Sequence, residues 1–323
     1  CAVLAREWRL LDSIRMLLDQ ADIPFELARP NNQQPSLFRI REIAELLEAI
    51  KQSSPALSNA TEWQTYLQKY YTHTPANPWV QLLQSLLNDW QVETGNGKVT
   101  SQQTLEYLHE ALSEKTRNNN LGLGIFLSTV HSVKGMEFTH VLILDGGWAT
   151  QALEEDRRLY YVAMTRAKET LCLLEREDCR HTFLNEISGD SVLPRTPNMA
   201  GNIMLSTPTK RYRLLSLKDI DLGYAGSLAE GHRAHRYLKE LLPRSNLTIV
   251  DNNGKIVLKQ GDCIIAVLSK QGASYWHKRL ASIESVNVLA MIKRYKQDSE
   301  EQYHTRYKIE QWLVPFVEIV YYD

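Results

Sequence analysis

Two stretches of this sequence gather side chains capable of chemistry. The first, Ser128-Thr-Val-His-Ser-Val-Lys-Gly-Met-Glu-Phe138, sets hydroxyls, an imidazole, an ammonium, a glycine and a carboxylate in one short run. It reads as a strand running into a loop. In an open α/β sheet, ligands bind beyond the carboxyl ends of the strands, where these groups would project. Gly135 would let the backbone approach a phosphate or turn with positive φ. The same groups would serve equally well to cap a helix and face water. The second stretch, Glu154-Glu-Asp-Arg-Arg-Leu-Tyr-Tyr-Val-Ala-Met-Thr-Arg-Ala-Lys168, reads as a helix with Leu159, Val162 and Ala163 toward the core. Arg166 lies near its end, at the edge of that stripe. An Arg so placed needs an anionic partner, which a phosphate supplies in bidentate form and a neighbouring acid such as Glu155 supplies as a salt bridge.

The elements around these stretches predict an α/β chain. Ala2–Ala5 is a short apolar run. Leu10, Ile14, Leu17 and Leu18 follow at helical spacing up to Ala21, Phe25–Leu27 is a second short strand, and Arg39–Ile50 is a second amphipathic helix. Such alternation implies a parallel sheet covered by helices. From Gln52 to about Leu112 the strand signals vanish and three apolar stripes at helical spacing predict a helical insertion over 52–113. Strands resume at Ile125–Val130 and His140–Leu144, Leu153–Ala167 is helical and Thr170–Leu174 is strand. Gly189, Pro194, Pro197, Gly201 and Pro208 mark a linker over 187–210. Beyond it, 211–323 reads as a small, mostly β domain. It has a helix around His232–Leu242, strands at Leu247–Asp251, Lys255–Leu258 and Cys263–Ser269, a bend at Ser274–Lys278, and strands at Val286–Tyr295 and Trp312–Tyr322. Short strands at close spacing suggest a small barrel or a twisted sheet.

Together the two stretches resemble motifs V and VI of superfamily 1 DNA helicases of the UvrD/Rep/PcrA type. The family patterns there read approximately T-[LV]-H-x-x-K-G-[LM]-E-F and E-E-x-R-R-L-x-Y-V-x-x-T-R-A, and nearly every position is filled in the right order. Ala2-Val-Leu-Ala-Arg6, followed by a helix and Ile23-Pro-Phe, resembles motif IV and its sequel. The resemblance covers about residues 1–51 and 121–176 and implies a RecA-like second motor domain over 1–51 and 114–186. The segment 52–113 stands where the family inserts an accessory domain, shorter here. The resemblance implies that Arg6 and Arg166 reach the γ-phosphate of ATP and that Glu137 accepts a hydrogen bond from the ribose, with Gly135 beside it. It also implies that Thr129 and His131 touch single-stranded DNA, with Ser132 and Lys134 in the same loop. Polarity would be 3′ to 5′, the partner single-stranded or duplex DNA, and the location the cytoplasm, in the service of DNA repair. Ala5 departs from the family, which often has a Tyr there that stacks on adenine. That leaves base stacking in doubt.

ATP and Mg²⁺ need a phosphate-cradling G-x-x-x-x-G-K-[ST]. Gly95-Asn-Gly-Lys-Val-Thr100 fails that pattern, since Val99 follows the Lys and Val92 stands at the first Gly. No Walker B stretch is visible. The ATPase is therefore expected to be complete only with an N-terminal RecA-like domain of the same protein, and this chain alone is expected to be inactive. The rival is a non-catalytic DNA-binding or regulatory remnant. Gly231-His-Arg-Ala-His235 opens like a RecB-type nuclease, but no Asp and (D/E)-x-K pair follows, and no metal site is expected. The last hundred residues resemble, more loosely, the end of large bacterial helicases with a RecQ-type front. There Trp276, His277, Lys278, Arg279, Lys293 and Arg294 are candidates to bind nucleic acid by stacking and charge, against a docking or structural role.

Bulk properties constrain less. The chain has 323 residues, a net charge of −1 and 43% hydrophobic residues, an ordinary globular balance. Its four cysteines, without C-x-x-C spacing, are expected as reduced thiols rather than a disulfide framework. Apolar runs are strand-sized, so no membrane span is expected and no signal peptide is visible. The opening on Cys1 within an apolar run is read as an excised piece of a longer protein. Residues after about 205 carry about five more Lys and Arg than Asp and Glu, an excess compatible with phosphate contacts.

Overall fold

The computed structural model describes residues 1–27, 35–71, 77–118, 124–148, 154–175, 183, 187, 189, 192–194 and 210–322. The chain divides into two compact units. One comprises Cys1–Pro30, Asn118–Arg211 and Tyr322–Asp323, the other Asn31–Arg117 and Tyr212–Tyr321. The expected linker at 187–210 lies mostly outside the described residues.

The first unit is built on a parallel sheet. Its strands are β1 (Ala2–Ala5), β2 (Phe25–Leu27), β5 (Ile125–Thr129), β6 (Phe138–Ile143) and β7 (Ala167–Leu173), in the order β2-β5-β1-β6-β7. β1 is central, and its Ala-Val-Leu-Ala is buried throughout, as a strand covered on both faces requires. One face packs on α1 (Trp8–Gln20) through Leu11 and Leu18. The other carries Ala2, Leu4, Phe126, Val141 and Ile143 against α6 (Glu154–Met164), whose Tyr160 and Ala163 point inward. The strand–helix–strand pattern expected over 1–27 and the α/β pattern over 125–173 are thus both present.

The second unit joins helices to an antiparallel sheet. Its helices are α2 (Arg41–Gln52), α3 (Ala60–Tyr71), α4 (Pro78–Thr94) and α5 (Ser101–Asn118), with a small ladder of β3 (Leu57–Ser58) and β4 (Val99–Thr100). α4 starts where the Asn77 side chain accepts a hydrogen bond from the Trp79 N–H at 3.0 Å, and it ends at Gly95 in the left-handed conformation. The larger sheet contains β8 (Lys210–Leu215), β9 (Asn246–Asn252), β10 (Lys255–Gln260), β11 (Cys263–Val267), β12 (Ile283–Tyr295) and β13 (Gln311–Tyr322), in the order β11-β10-β9-β12-β13-β8. That order has two ends, so the sheet is open rather than a closed barrel. Two short helices, α7 (Arg233–Glu240) and α8 (Lys270–Trp276), accompany it.

The sequence kept the helical segment 52–113, the first-segment helix at 39–50 and the β-rich tail in three separate parts. The structure clusters them in one unit, and polar contacts of long sequence separation explain why. Arg41 and Glu42 are both buried and ion-paired at 2.6 Å. Arg41 Nη1 also donates to the Lys239 and Leu241 carbonyls at the end of α7, each at 3.0 Å, while Asn77 donates to Glu42. On β12, Lys293 pairs with Glu48 of α2 at 2.6 Å, Tyr295 donates to the same carboxylate, and Trp79 Nε1 donates to the Leu289 carbonyl at 2.9 Å. Burial pushes the Glu48 carboxyl up, but the hydrogen bonds from Lys293 and Tyr295 outweigh it and hold Glu48 below the ordinary carboxylate range. Removing one partner from such a pair strands the other charge, so α2 is held to the sheet more firmly than a surface helix would be.

Two expectations for the tail need correction. The bend at Ser274–Lys278 is instead the end of helix α8, which the Ser269 side chain caps by accepting from the Gly272 N–H at 3.2 Å. Seven residues including a glycine are too few to show helical periodicity. Trp276 is not a stacking platform. It is 0% exposed, edge-on to Tyr275 and Tyr321 at 5.1 and 5.2 Å. Lys293 is buried against Glu48, and Arg294 lies beside Asp298. Trp276→Ala is therefore expected to lower unfolding free energy by about 3–5 kcal/mol, measured by urea denaturation followed by circular dichroism. A loss below about 1 kcal/mol would contradict a core role.

Candidate functional site

The candidate nucleotide- and DNA-binding residues of the two motif stretches and Arg6 lie in the first unit, and the parallel sheet decides where each projects. β5 and β6 flank β1 on opposite sides and run in the same direction. The chain must therefore return from the carboxyl end of β5 to the amino end of β6, crossing β1 on the way. It does so in residues 130–137, without a helix of ordinary length, where such crossovers usually take a dozen residues or more. A 3₁₀ turn, Val130–Val133, begins the return, and Val130 and Val133 are buried on the α6 side of the sheet. Next comes a tight turn closed by the Met136 N–H donating to the Val133 carbonyl at 3.0 Å. Lys134 has φ −60° and ψ 122°, and Gly135 has φ +87°. Those angles are those of a type II turn, whose third position demands positive φ and hence glycine. This crossover is the first chemistry-bearing stretch of the sequence.

The candidates accordingly fall into two groups, one at each edge of the sheet. At the carboxyl edge stand Arg6, just beyond β1, and Thr129, His131 and Ser132, just beyond β5. Thr129 Oγ1 and Ser132 Oγ are 3.1 Å apart, and the His131 ring is exposed, with Nδ1 3.5 Å from Arg6 Nη1. Arg6 is gripped by Asp156 in the first turn of α6, through Nε at 3.1 Å and Nη2 at 3.0 Å. Gly147, beyond β6, has φ +72°, and a Cβ there would come within 3.3 Å of Arg6 Cβ. Another residue would be strained in backbone and would crowd Arg6.

At the amino edge stand Gly135, Glu137 and Arg166. The Phe138 N–H that opens β6 donates to the Arg166 carbonyl at 2.8 Å, which fixes Arg166 beside the start of that strand. Its guanidinium donates to the Val162 carbonyl, the Met136 carbonyl and Thr165 Oγ1, each at 3.0 Å. All three acceptors are neutral, and the salt bridge to Glu155 that the sequence left open is not among its contacts. A half-buried guanidinium held in place by neutral groups keeps its charge available for an incoming anion. Glu137 is exposed and paired with Lys168 at 3.2 Å, while Lys134 is exposed nearby along the chain. A Cβ on Gly135 would meet nothing within 4 Å, so the space around it is open.

The structure does not bring Arg6 and Arg166 together. The six residues of β6, at about 3.3 Å each, put roughly 20 Å between the two edges. α6 bridges that gap, with Asp156 at one end and Arg166 just past the other. Sequence reasoning missed Asp156 and Lys168. Asp156 stood in the run Glu154-Glu-Asp156, which favours a helix N-terminus on any account, so its Arg6 contact left no local signal. Beneath α6, burial and the nearby Asp145 carboxylate push the Tyr160 phenol well above its ordinary range, and its ring meets Trp148 edge-on at 4.8 Å.

As for cofactors, the open space at Gly135, the exposed Glu137 and the neutrally held Arg166 suit part of a nucleotide. No group of three or more His, Cys, Asp or Glu side chains that could hold a metal ion occurs among the described residues. Among the described residues, no helix is long and apolar enough to cross a membrane.

Residues 79–177, which include both chemistry-bearing stretches, match the family of UvrD-like helicase C-terminal domains. A protein of Rickettsia typhi named DNA helicase II is 25% identical over 43% of this chain and 27% of its own length. A Bacillus subtilis protein, YjcD, named as an ATP-dependent DNA helicase, is 41% identical over 20% of this chain and 10% of its own. The chain thus spans about a quarter of the length of the first relative and a tenth of the second. The motifs and the family match point the same way: the segment 79–177 is similar to UvrD-like helicase C-terminal domains.

Proposed function

We propose that this chain is the C-terminal part of an ATP-dependent DNA helicase or translocase of 3′ to 5′ polarity. Its first unit acts as a RecA-like motor domain that supplies one half of an ATP site and part of a single-stranded DNA track. The observation that carries the reading is the Arg166 guanidinium, fixed by three neutral acceptors and without a carboxylate partner among the described residues. In this role Arg166 faces the γ-phosphate, where fixed positive charge stabilises the transition state of phosphoryl transfer. Glu137 exchanges its exposed Lys168 partner for the ribose hydroxyl, a small sacrifice because exposed pairs contribute less than about 1 kcal/mol. The phosphate-cradling loop and the ligands for Mg²⁺ come from another RecA-like domain, since this sequence has no G-x-x-x-x-G-K-[ST].

Thr129, His131 and Ser132 face the DNA backbone at the carboxyl edge. Arg6 belongs with them rather than with the γ-phosphate, because a strand's length separates it from Arg166 and Asp156 holds it beside His131. The crossover and α6 both run from one edge to the other, so a nucleotide at one end and DNA at the other bear on the same rigid pieces. Coupling between the sites needs no longer path than this.

Two outcomes test the proposal in the intact protein. Arg166→Ala is expected to lower kcat for ATP about 10³-fold with a much smaller change in KM, because the lost interaction strengthens in the transition state. A kcat within a few-fold of the unaltered protein would make Arg166 structural. Asp156→Asn is expected to leave basal ATP turnover nearly unchanged while raising the DNA concentration needed for half-maximal stimulation severalfold, because it loosens Arg6 at the DNA edge. Equal loss of basal and stimulated turnover would return Arg6 to the nucleotide.

A further inference from the structure

The structure assigns a second polyanion site to the sheet of the second unit, formed by Arg213, Tyr275 and Arg279, and we propose that it binds the phosphodiester backbone of nucleic acid. Arg213 on β8 lies over the Tyr275 ring at 3.6 Å from its centroid, and Arg279, just past α8, lies over the same ring at 4.4 Å. The ring is anchored in turn, its hydroxyl 3.1 Å from that of Tyr321. Two cations thus share one aromatic ring. Neither pairs with a carboxylate among the described residues, nor does the exposed Lys278 beside them. The local acid, Asp251, is turned to His277 at 3.6 Å.

Such a cluster is electrostatically incomplete. Like charges held side by side repel, and the ring quadrupole offsets part of this at each guanidinium without neutralising either. An anion that touches both relieves the repulsion. A guanidinium set against a ring still has N–H edges directed outward, and those edges match phosphate oxygens. A nucleic-acid strand presents a continuous line of phosphates and can satisfy both arginines at once, whereas an isolated carboxylate satisfies one. With the ring occupied by guanidiniums and Trp276 in the core, no aromatic face is offered to a base. Binding is therefore by charge, without base preference, in contrast to the stacking that the sequence suggested. The choice of nucleic acid as the polyanion rests on the helicase reading. The site itself does not.

The test uses the full 323-residue chain and a short fluorescently labelled oligonucleotide, titrated by anisotropy at about 50 and 200 mM salt. Arg213→Gln with Arg279→Gln is expected to weaken binding about tenfold at the lower salt and to reduce the slope of log affinity against log salt by between one and two. The corresponding double change to Lys should recover most of the slope, since charge rather than ring contact carries the binding. Lys278→Gln, which disturbs no contact at Tyr275, should lower the slope by about one on its own. Unaltered affinity and slope in the double Gln variant and in Lys278→Gln would overturn the proposal. So would displacement of the oligonucleotide by polyglutamate at equal charge concentration, which would make this a protein-docking site. Thr129→Ala with His131→Ala serves as the control for the first unit. If that variant loses affinity while the double Gln variant does not, the helicase reading stands and the second site falls. The reverse result keeps the second site and removes the DNA track.

Discussion

The crossing of β1 by residues 130–137 is the constraint on which the candidate site depends. Because β5 and β6 are parallel and lie on either side of β1, the chain that leaves one must travel back along the sheet before it can begin the other. Most proteins make that return with a helix. Here a 3₁₀ turn and a type II turn do it, and the short path leaves almost every residue with a fixed task. Val130 and Val133 fill the space beneath α6, Gly135 supplies the positive φ, and the Met136 carbonyl receives Arg166. The polar residues between them project because the apolar ones cannot. A run of this density of polar side chains is a consequence of threading a return path through a packed layer, where interiors tolerate little change in volume.

α6 is the counterpart of that path. Its first turn carries Glu154, Glu155 and Asp156, acids that favour a helix N-terminus, and the third of them reaches Arg6. Its last turn delivers the Val162 carbonyl to Arg166, and Thr165, just past its end, delivers its hydroxyl. Tyr160 and Ala163 meanwhile lock the helix to the crossover and the sheet. A displacement at either end therefore cannot be absorbed locally, since the helix is rigid over its length and the core beneath it is close-packed.

Much of this was legible in the sequence. The first and last strands of the parallel sheet announce themselves as short apolar runs, and Arg166 could be suspected because a cation at the edge of an apolar stripe needs an anion. What could not be read was which edge each residue occupies. Arg6 and Arg166 look equivalent as phosphate-seeking arginines until strand direction puts one after β1 and the other before β7. The second unit was less legible for a related reason. α2 looks like any amphipathic helix, and nothing near Arg41 or Glu48 hints that their partners lie on α7 and β12, some two hundred positions away. Trp276 beside a basic run read as a stacking platform because composition does not reveal which way a short helix faces. The same helix buries Trp276 and presents Tyr275 one position away.

The division of the chain follows from these long-range contacts rather than from the order of segments. Helices α2 to α5 are inserted between strands of the parallel sheet, yet Glu48 of α2 accepts from Lys293 and Tyr295 of the antiparallel sheet, and Trp79 of α4 donates to the Leu289 carbonyl there. Buried ion pairs of the Arg41–Glu42 kind contribute little net stability relative to apolar packing, but an unpaired member is costly. They therefore specify more than they stabilise: α2 can dock only where the Lys239 and Leu241 carbonyls and the Lys293 ammonium are all presented together. A slide of one helical turn, about 5.4 Å, would strand several buried charges at once. The inserted helices are held in a single register by that penalty, and the unit they form includes the tail because its carbonyls and Lys293 complete their hydrogen bonds.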